Sequence, residues 1–137
     1  MTTAVQGAPA EPAGPPKARC KILVVDDSPT ERFFLCDLLS KGGYDVVTAG
    51  SGDEAILMVR SENPALVLMD VVMPGISGYQ ATRAISRNPS TRSIPIIMCT
   101  IKGTESDRIW GLRQGARDYV VKPVDAQELL AKIASLT

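Results

Sequence analysis

The sequence predicts an α/β fold in which a single doubly wound, five-stranded parallel sheet carries helices on both faces. Short apolar runs rich in β-branched residues alternate with longer segments that begin with helix-capping residues. Three of the apolar runs contain almost no polar residue, as expected of parallel strands that are buried on both faces. Five strand–helix units in succession indicate right-handed crossovers and helices on both sides of the sheet.

The five strands are predicted from these apolar runs. In chain order they cover residues 21–26 (KILVVD), 45–49 (DVVTA), 66–70 (LVLMD), 95–100 (PIIMCT) and 118–121 (DYVV). We expect the flavodoxin-like strand order 2-1-3-4-5. In that order the direction of winding reverses between the first and third strands.

The helices between the strands are predicted from their capping signals. The stretch 28–31 (SPTE) offers an N-cap serine, a proline at the first helical position and a glutamate that completes a capping box. The same spacing of a cap and an acidic or amide partner recurs at 51–54, 77–80 and 125–128. Glycine or proline marks the expected helix ends, at Gly42-Gly43, Pro64, Pro89 and Gly115.

Composition limits the classes of function. The 137 residues are 45% hydrophobic and 22% charged, which is enough apolar material for the core of one globular domain. Basic and acidic residues both number 15, and aromatic residues make up 4%. We therefore expect no nucleic-acid partner, because the chain has no excess of positive charge and few aromatic side chains on which bases could stack.

The composition of the N-terminal segment differs from that of the rest. Residues 1–20, dominated by Ala, Pro and Gly, are predicted to be a disordered tail, and residues 21–137 the folded domain.

Cysteine and histidine content narrows the chemistry further. Cys20, Cys36 and Cys99 are odd in number and lack metal-ligand spacing, so we expect reduced thiols in the cytoplasm. The absence of histidine excludes Ser-His hydrolysis and histidine metal ligands. No apolar run approaches the length of a membrane span, and the N-terminus lacks the regions of a signal peptide. We therefore expect no membrane insertion.

Polar residues that could bind a ligand or take part in a reaction lie at one edge of the predicted sheet. Asp26 and Asp27 end the first strand, and Asp70 ends the third. Thr100 ends the fourth strand, and Lys122 follows the fifth. In an open parallel sheet, ligands bind outside the carboxyl ends of the strands, at the point where strand order reverses. The order 2-1-3-4-5 therefore brings the acidic pair beside Asp70.

Three converging carboxylates and a lysine suit phosphoryl transfer. Mg²⁺ prefers oxygen ligands and is typically held by one or two carboxylates together with phosphate oxygens. A carboxylate can itself be the nucleophile and form an aspartyl phosphate, while a lysine supplies a point charge for phosphate. A hydroxyl at the end of the next strand can then hydrogen-bond the phosphoryl group.

Four stretches in this order carry a family resemblance: VVDDS, LVLMDVVMPGISG, IIMCT and DYVVKP. Over residues 21–137 the chain resembles the receiver domain of two-component response regulators, and the ordered set is specific although each piece alone is weak. The resemblance implies that Asp70 is the phosphoacceptor. It also implies that Asp27, Asp70 and the main-chain carbonyl of Val72 are ligands of Mg²⁺, with Asp26 assisting through water.

The resemblance assigns three further roles. Thr100 resembles the switch hydroxyl, Lys122 the phosphate-binding lysine, and Tyr119 the aromatic residue whose rotamer couples to the switch. It also implies a cis peptide bond between Lys122 and Pro123. Taken singly, the same residues have plain structural interpretations as a strand threonine, a solvated lysine and a half-buried packing tyrosine.

Three other classes of protein are considered. A haloacid-dehalogenase-type phosphatase also uses an aspartyl nucleophile and Mg²⁺, but it needs a second aspartate two residues later, where this chain has Val72. A flavodoxin-like cofactor binder needs a phosphate-cradling loop rich in Gly, Ser or Thr after the first strand, whereas this loop is acidic. An unphosphorylated, receiver-like docking module is the alternative left open, although the complete acidic set argues against it.

The end of the chain directs the expected function toward protein contacts. A single predicted helix follows Lys122, so we expect a stand-alone receiver without an output domain. The resemblance then implies a histidine kinase or phosphotransfer domain as donor, and an effector that binds helix four, strand five and helix five. The stretch 105–123 is similar to receivers of the chemotaxis-like system that controls type IV pilus twitching motility, with flagellar chemotaxis as the alternative.

Ile101 departs from the family pattern. The residue after the switch threonine is usually small in the family, and here it is a branched residue. Because its χ1 freedom is restricted, the side chain should crowd the approach to Asp70 from solvent. We therefore expect Ile101 to gate the site and to lengthen the lifetime of the phosphorylated form.

Overall fold

The computed structural model describes residues 20–137 and, within them, five strands alternate with five helices. The strands are β1 (Lys21–Val25), β2 (Asp45–Ala49), β3 (Leu66–Met69), β4 (Ile96–Thr100) and β5 (Asp118–Val121). The helices are α1 (Pro29–Lys41), α2 (Gly52–Glu62), α3 (Gly78–Arg87), α4 (Glu105–Gln114) and α5 (Ala126–Leu136). The predicted tail over residues 1–20 lies, except for Cys20, outside the described residues.

All strand pairs are parallel, and the order β2-β1-β3-β4-β5 confirms the predicted fold class. The reversal of order places β1 directly beside β3, with Val25 opposite Met69 at their carboxyl ends. Asp26 and Asp70, which follow these two residues, are therefore neighbours at one edge of the sheet. The topology alone brings together two carboxylates that are 44 positions apart in the chain.

Three strand boundaries differ from the prediction by one residue. The first and third strands stop before Asp26 and Asp70, which lie in the loops that lead to α1 and α3. Each aspartate still donates its N–H to the neighbouring strand, Asp26 to the Ala49 oxygen (3.1 Å) and Asp70 to the Val25 oxygen (2.9 Å). The fourth strand begins one residue later than predicted, after Pro95, which has no N–H to donate to the ladder.

The sheet is covered by an apolar layer on each face. Because side chains alternate along a strand, Leu23 and Val25 pack with residues of α2 and α3, whereas Ile22 and Val24 pack with residues of α1 and α5. The same alternation in β5 places Tyr119 in the first layer and Val120 in the second. Within residues 20–137 no helix has the length and apolar character that crossing a bilayer requires.

The predicted helix starts are confirmed, with Ser28, Ser51, Ser77 and Asp125 as N-caps. The α4 cap, Thr104, was not predicted, although it forms a complete capping box with Asp107. The predicted ends are also close to the observed ones. Asn63 ends α2 in the left-handed conformation (φ 46°) just before Pro64, and Gly115 ends α4.

The capping box predicted for α1 is wrong in one half. The Ser28 hydroxyl does accept the Glu31 N–H (3.3 Å). The Ser28 N–H, however, donates to Oδ1 of Asp26 (2.9 Å), so that the Glu31 carboxylate has no role in the cap. Asp26 accepts the Ser28 N–H in place of Glu31 because it lies two residues before the serine, in the geometry of a local turn.

Gly78 lets the start of α3 lie directly against the end of β3. Its N–H donates to the Val71 oxygen (2.9 Å). A Cβ placed on this residue would overlap the carbonyl group of Asp70. Glycine is therefore required by close backbone approach, and this approach sets the path of the loop that follows Asp70.

We expect Gly78→Ala to lower the free energy of unfolding by about 1–3 kcal/mol, because an added methyl group must displace the Asp70 backbone. Gly50→Ala is the matched control, since its Cβ would meet Arg32 at 3.4 Å and Glu54 at 3.8 Å, which are ordinary contacts. Urea unfolding of the two variants measures the difference. Equal unfolding free energies would contradict the proposed crowding.

Candidate functional site

The loops after β1 and β3 form a cluster of three carboxylates. Asp26 is 2% exposed and Asp70 is 7% exposed, whereas Asp27 is open to solvent. One oxygen from each of the three carboxylates lies within 4.8 Å of the others. Such a cluster repels itself and is costly to bury unless cations or donors surround it.

Asp26 is held by donors at every oxygen. Its Oδ1 accepts the Ser28 N–H at 2.9 Å, and its Oδ2 accepts from Nζ of Lys122 at 2.7 Å. Its backbone oxygen accepts from Nη1 of Arg32 at 2.7 Å. The most deeply buried carboxylate of the cluster therefore has a hydrogen-bond donor at each oxygen, which offsets the cost of burying it.

Lys122 is the cation at the centre of the cluster. Besides Asp26, its ammonium group lies 3.5 Å from Oε1 of Glu31 and 3.9 Å from Oδ2 of Asp70. Burial alone would lower the pKa of Lys122, but the hydrogen bond to Asp26 and the charges of Asp70 and Asp26 raise the pKa overall. The lysine is therefore protonated at neutral pH.

The backbone around Lys122 fixes where its side chain starts. Its N–H donates to the Thr100 oxygen (2.8 Å), which extends the β4–β5 pairing by one residue. The Lys122–Pro123 peptide bond is cis, as the family resemblance implied.

Asp70 has a raised pKa. Burial is the main cause, and the negative charge of Asp26 adds to it, whereas Lys122 and the N–H groups of Val71 and Val72 lower the pKa in part. Because the folded state binds this proton more tightly than the unfolded chain does, the ionised carboxylate weakens the metal-free protein. This loss of stability grows as the pH rises from the ordinary pKa of aspartate through the raised folded value.

The donor set fits a divalent cation of the Mg²⁺ type. All three groups are hard carboxylate oxygens, and the exposed Asp27 leaves room for the waters that Mg²⁺ keeps. A cation there would also offset the burial and the Asp26 charge that raise the pKa of Asp70. Asp27 and Asp70 could hold the ion directly, with Val72, 53% exposed and two residues after Asp70, on the same loop.

The remaining predicted residues lie around this cluster. Thr100 is fully buried, and its hydroxyl accepts the Lys102 N–H at 3.3 Å. Ile101 is 70% exposed. It helps to line a cavity of about 490 Å³ that opens beside Lys122, the other lining residues being Glu31, Phe34, Pro123 and Val124.

Tyr119 faces away from the carboxylates, into the layer beneath α4. It is 2% exposed, and its hydroxyl donates to the Lys102 oxygen at 2.6 Å. Gly111 of α4 provides the space for the ring, because a Cβ there would lie 3.1 Å from the Tyr119 ring. The tyrosine and the Thr100 hydroxyl therefore contact the same residue, Lys102, through its carbonyl and its N–H respectively.

Several contacts of the site were not predicted from the sequence. Tyr79 of α3 donates its hydroxyl proton to the Asp107 oxygen (3.1 Å) and lies 3.4 Å from the Tyr119 hydroxyl, so it links α3, α4 and β5. Arg32 and Glu31 approach the acidic cluster from α1. The only local signal for Glu31 favoured a capping role. Tyr79 and Arg32 carry no motif that would single them out.

The structure is that of a doubly wound α/β domain in which acidic residues and a lysine meet at the point of strand reversal, where such domains bind their ligands. The family model described as the response regulator receiver domain matches residues 22–134. The chain therefore belongs to the response regulator receiver family, as the sequence motifs indicated. Receiver domains bind Mg²⁺ at an acidic pocket, and the cluster of Asp26, Asp27 and Asp70 has the composition of such a pocket.

Individual relatives agree with this family. The chain is 50% identical over 113 residues to Protein PilH of Pseudomonas aeruginosa. This alignment covers 82% of this chain and 93% of PilH. A crystal structure of a response regulator from Chloroflexus aurantiacus has 36% identity and a TM-score of 0.83, covering 86% of this chain and 97% of the other. Vibrio cholerae chemotaxis protein CheY4 has 28% identity and a TM-score of 0.81, covering 87% and 99%. The chain spans only 46% and 51% of two longer transcriptional regulators that it also matches.

We expect Mg²⁺ to stabilise the protein and Asp27→Asn to remove most of this effect. A ligand that binds only the folded state at a hundred times its Kd raises the free energy of unfolding by about 2.7 kcal/mol. The matched control is Asp37→Asn, because Asp37 is an exposed carboxylate of α1 that pairs with Lys41 (3.1 Å) away from the cluster. Thermal or urea unfolding with Mg²⁺ or with a chelator checks this. An equal Mg²⁺ effect in both variants would contradict the site.

Proposed function

We propose that the protein accepts a phosphoryl group on Asp70 from the phosphohistidine of a histidine kinase or phosphotransfer domain, in a Mg²⁺-dependent reaction. In its phosphorylated form it would signal by binding an effector protein. The observation that carries this proposal is the meeting of three carboxylates with the Lys122 ammonium at the β1–β3 edge. Membership of the receiver family supports the same assignment.

The chemistry follows from the positions of two side chains. An ionised Asp70 oxygen attacks phosphorus while the bond from phosphorus to the donor nitrogen breaks, and the released imidazole keeps the electron pair and takes a proton from solvent. The Lys122 ammonium group lies 3.9 Å from Oδ2 of Asp70, which is beyond hydrogen-bond distance. A phosphoryl group on Asp70 would bring its oxygens closer to the lysine, and a small shift of the ammonium group would then form a hydrogen bond. A bound Mg²⁺, held by Asp27, Asp70 and the Val72 carbonyl with Asp26 assisting through water, would neutralise charge on the transferred oxygens.

The route from the site to the surface runs through Lys102 in the β4–α4 loop. The Thr100 hydroxyl accepts the Lys102 N–H, which leaves its own proton available for a phosphoryl oxygen. A movement of Thr100 toward the phosphoryl group would shift Lys102, whose oxygen binds the Tyr119 hydroxyl. We infer that this changes the α4, β5 and α5 surface on which the effector binds. That surface exposes Ile109, Trp110, Leu112 and Val121.

We further infer a cytoplasmic signalling protein that assists its own phosphorylation and autodephosphorylation but does not turn over external substrates. It would act in a chemotaxis-like or pilus-motility pathway, without nucleic-acid contact or membrane insertion. The likeness to Protein PilH and to a chemotaxis protein supports this assignment. A phosphotransfer assay against each histidine kinase of the host would identify the donor. The unphosphorylated docking module is the alternative, and it predicts no transfer from any donor.

Asp70→Asn should abolish phosphoryl transfer, because the amide nitrogen and oxygen do not act as the nucleophile. Labelling from a phosphohistidine kinase or a small acyl phosphate should also require Mg²⁺ in the wild-type protein. The Asp37→Asn variant should label normally, since its carboxylate lies outside the cluster. Labelling of a folded Asp70→Asn protein at the wild-type level would overturn the assignment of Asp70.

Ile101→Ala should speed autodephosphorylation. Hydrolysis needs a water in line with the bond that breaks, and a misplacement of about 1 Å can cost about a hundredfold in rate. Removing the branched side chain should widen the cavity beside Lys122 and ease the entry of water. Decay of the purified phosphoprotein measures the effect.

Leu57→Ala is the control for Ile101→Ala, because Leu57 is an exposed aliphatic residue of α2 (68%) that does not line this cavity. Its decay rate should equal that of the wild-type protein. Unchanged or slower decay in the Ile101 variant would mean that this residue does not gate the site.

A further inference from the structure

Glu31 occupies a position that its helix-capping motif does not explain. Asp26 accepts the Ser28 N–H that Glu31 would otherwise accept in a capping box. The carboxylate of Glu31 instead lies 3.5 Å from Nζ of Lys122. The same aspartate therefore displaces Glu31 from the cap and shares the lysine with it.

Glu31 is also the carboxylate nearest to solvent among the three that surround the Lys122 ammonium. Its side chain is 42% exposed, compared with 2% for Asp26 and 9% for Asp70. An anion that approaches Lys122 from solvent on this side meets the charge of Glu31 before it reaches the buried carboxylates.

The apolar side chains around Glu31 strengthen the electrostatic effect of its carboxylate. It lines the cavity of about 490 Å³ together with Lys122, and the remaining lining side chains are apolar: Phe34, Ile101, Pro123 and Val124. Charges with apolar walls around them are screened less than charges in open water. Arg32, on the same helix as Glu31, binds the backbone oxygen of Asp26 and does not line this cavity.

We propose that Glu31 selects phosphodonors by charge: its carboxylate repels free dianionic phosphodonors at the cavity mouth and so favours transfer from a protein-bound phosphohistidine. This proposal rests on the proposed phosphorylation of Asp70. A protein donor can place a cationic or neutral group opposite Glu31, whereas a small dianion cannot. Glu31 is thus a specificity-determining residue outside the set that carries the chemistry.

The test compares two small phosphodonors of different charge. Acetyl phosphate is dianionic at neutral pH, and phosphoramidate is monoanionic. With Mg²⁺ present, Glu31→Gln should load about fivefold faster than wild type from acetyl phosphate and about twofold faster from phosphoramidate, because repulsion scales with donor charge. The difference should shrink in about 0.5 M salt, which screens exposed charges. Asp37→Asn removes the same charge from the same helix, and both its rates should equal those of wild type.

Each other outcome overturns the proposal. No gain in Glu31→Gln means that the carboxylate does not exclude donors. An equal gain for both donors, or a gain that salt leaves unchanged, means that Glu31 acts by restraining Lys122 rather than by repelling the donor. If the folded wild-type protein is phosphorylated by neither these donors nor a kinase, the proposed function fails as well, so the two failures are distinguishable.

Discussion

The candidate site depends on one interaction, the buried ion pair of 2.7 Å between Lys122 and Asp26. It joins the loop after β5 to the end of β1, across the two strands that lie between them. Without this ammonium group, the carboxylates of Asp26 and Asp70 would be buried without a countercharge, which is strongly destabilising. The hydrogen bond of this pair helps to raise the pKa of Lys122, which keeps the lysine protonated. It also supplies the donor for Oδ2 of Asp26, while the Ser28 N–H supplies the donor for Oδ1.

Lys122 compensates the buried negative charge of the cluster only in part. Of the two buried carboxylates, the one that lies farther from the lysine, Asp70, is the one at which we expect the chemistry. Asp70 lies 3.9 Å from the lysine, compared with 2.7 Å for Asp26, and its pKa is raised by burial, so its burial is compensated less completely than that of Asp26. A group in this condition gains most from a cation or from a change in its own charge. Stability is given up at the residue that we propose is phosphorylated, a trade-off that is common at active sites.

Alternation along the last strand separates the acidic cluster from Tyr119, the proposed switch residue. Tyr119 packs in the layer on the α4 side of the sheet, whereas Lys122, just beyond the end of the strand, reaches the carboxylates. The two regions are connected through Lys102, which contacts both the Thr100 hydroxyl and the Tyr119 hydroxyl. Because Gly111 leaves only enough space for the ring and Tyr79 binds the first turn of α4, the inward tyrosine is closely enclosed. A shift of the β4–α4 loop must therefore move several elements together.

The sequence by itself determined the strands, most helix caps and the family, because these follow from local periodicity, capping chemistry and an ordered set of motifs. The strand order was expected from the known order of doubly wound folds and did not follow from the residues themselves. The sequence also indicated that Asp26, Asp27, Asp70 and Lys122 meet, since a parallel sheet gathers its carboxyl ends at one edge. Only the tertiary structure decided which group each side chain contacts. Glu31 was assigned to the cap by its spacing from Ser28, but Asp26 accepts that N–H, and Lys122, 91 residues further along the chain, lies beside the free carboxylate. Tyr79 likewise finds its partners in elements 28 and 40 positions away. Local pattern encodes backbone conformation and burial, whereas the competition among donors and acceptors is settled only when distant segments pack.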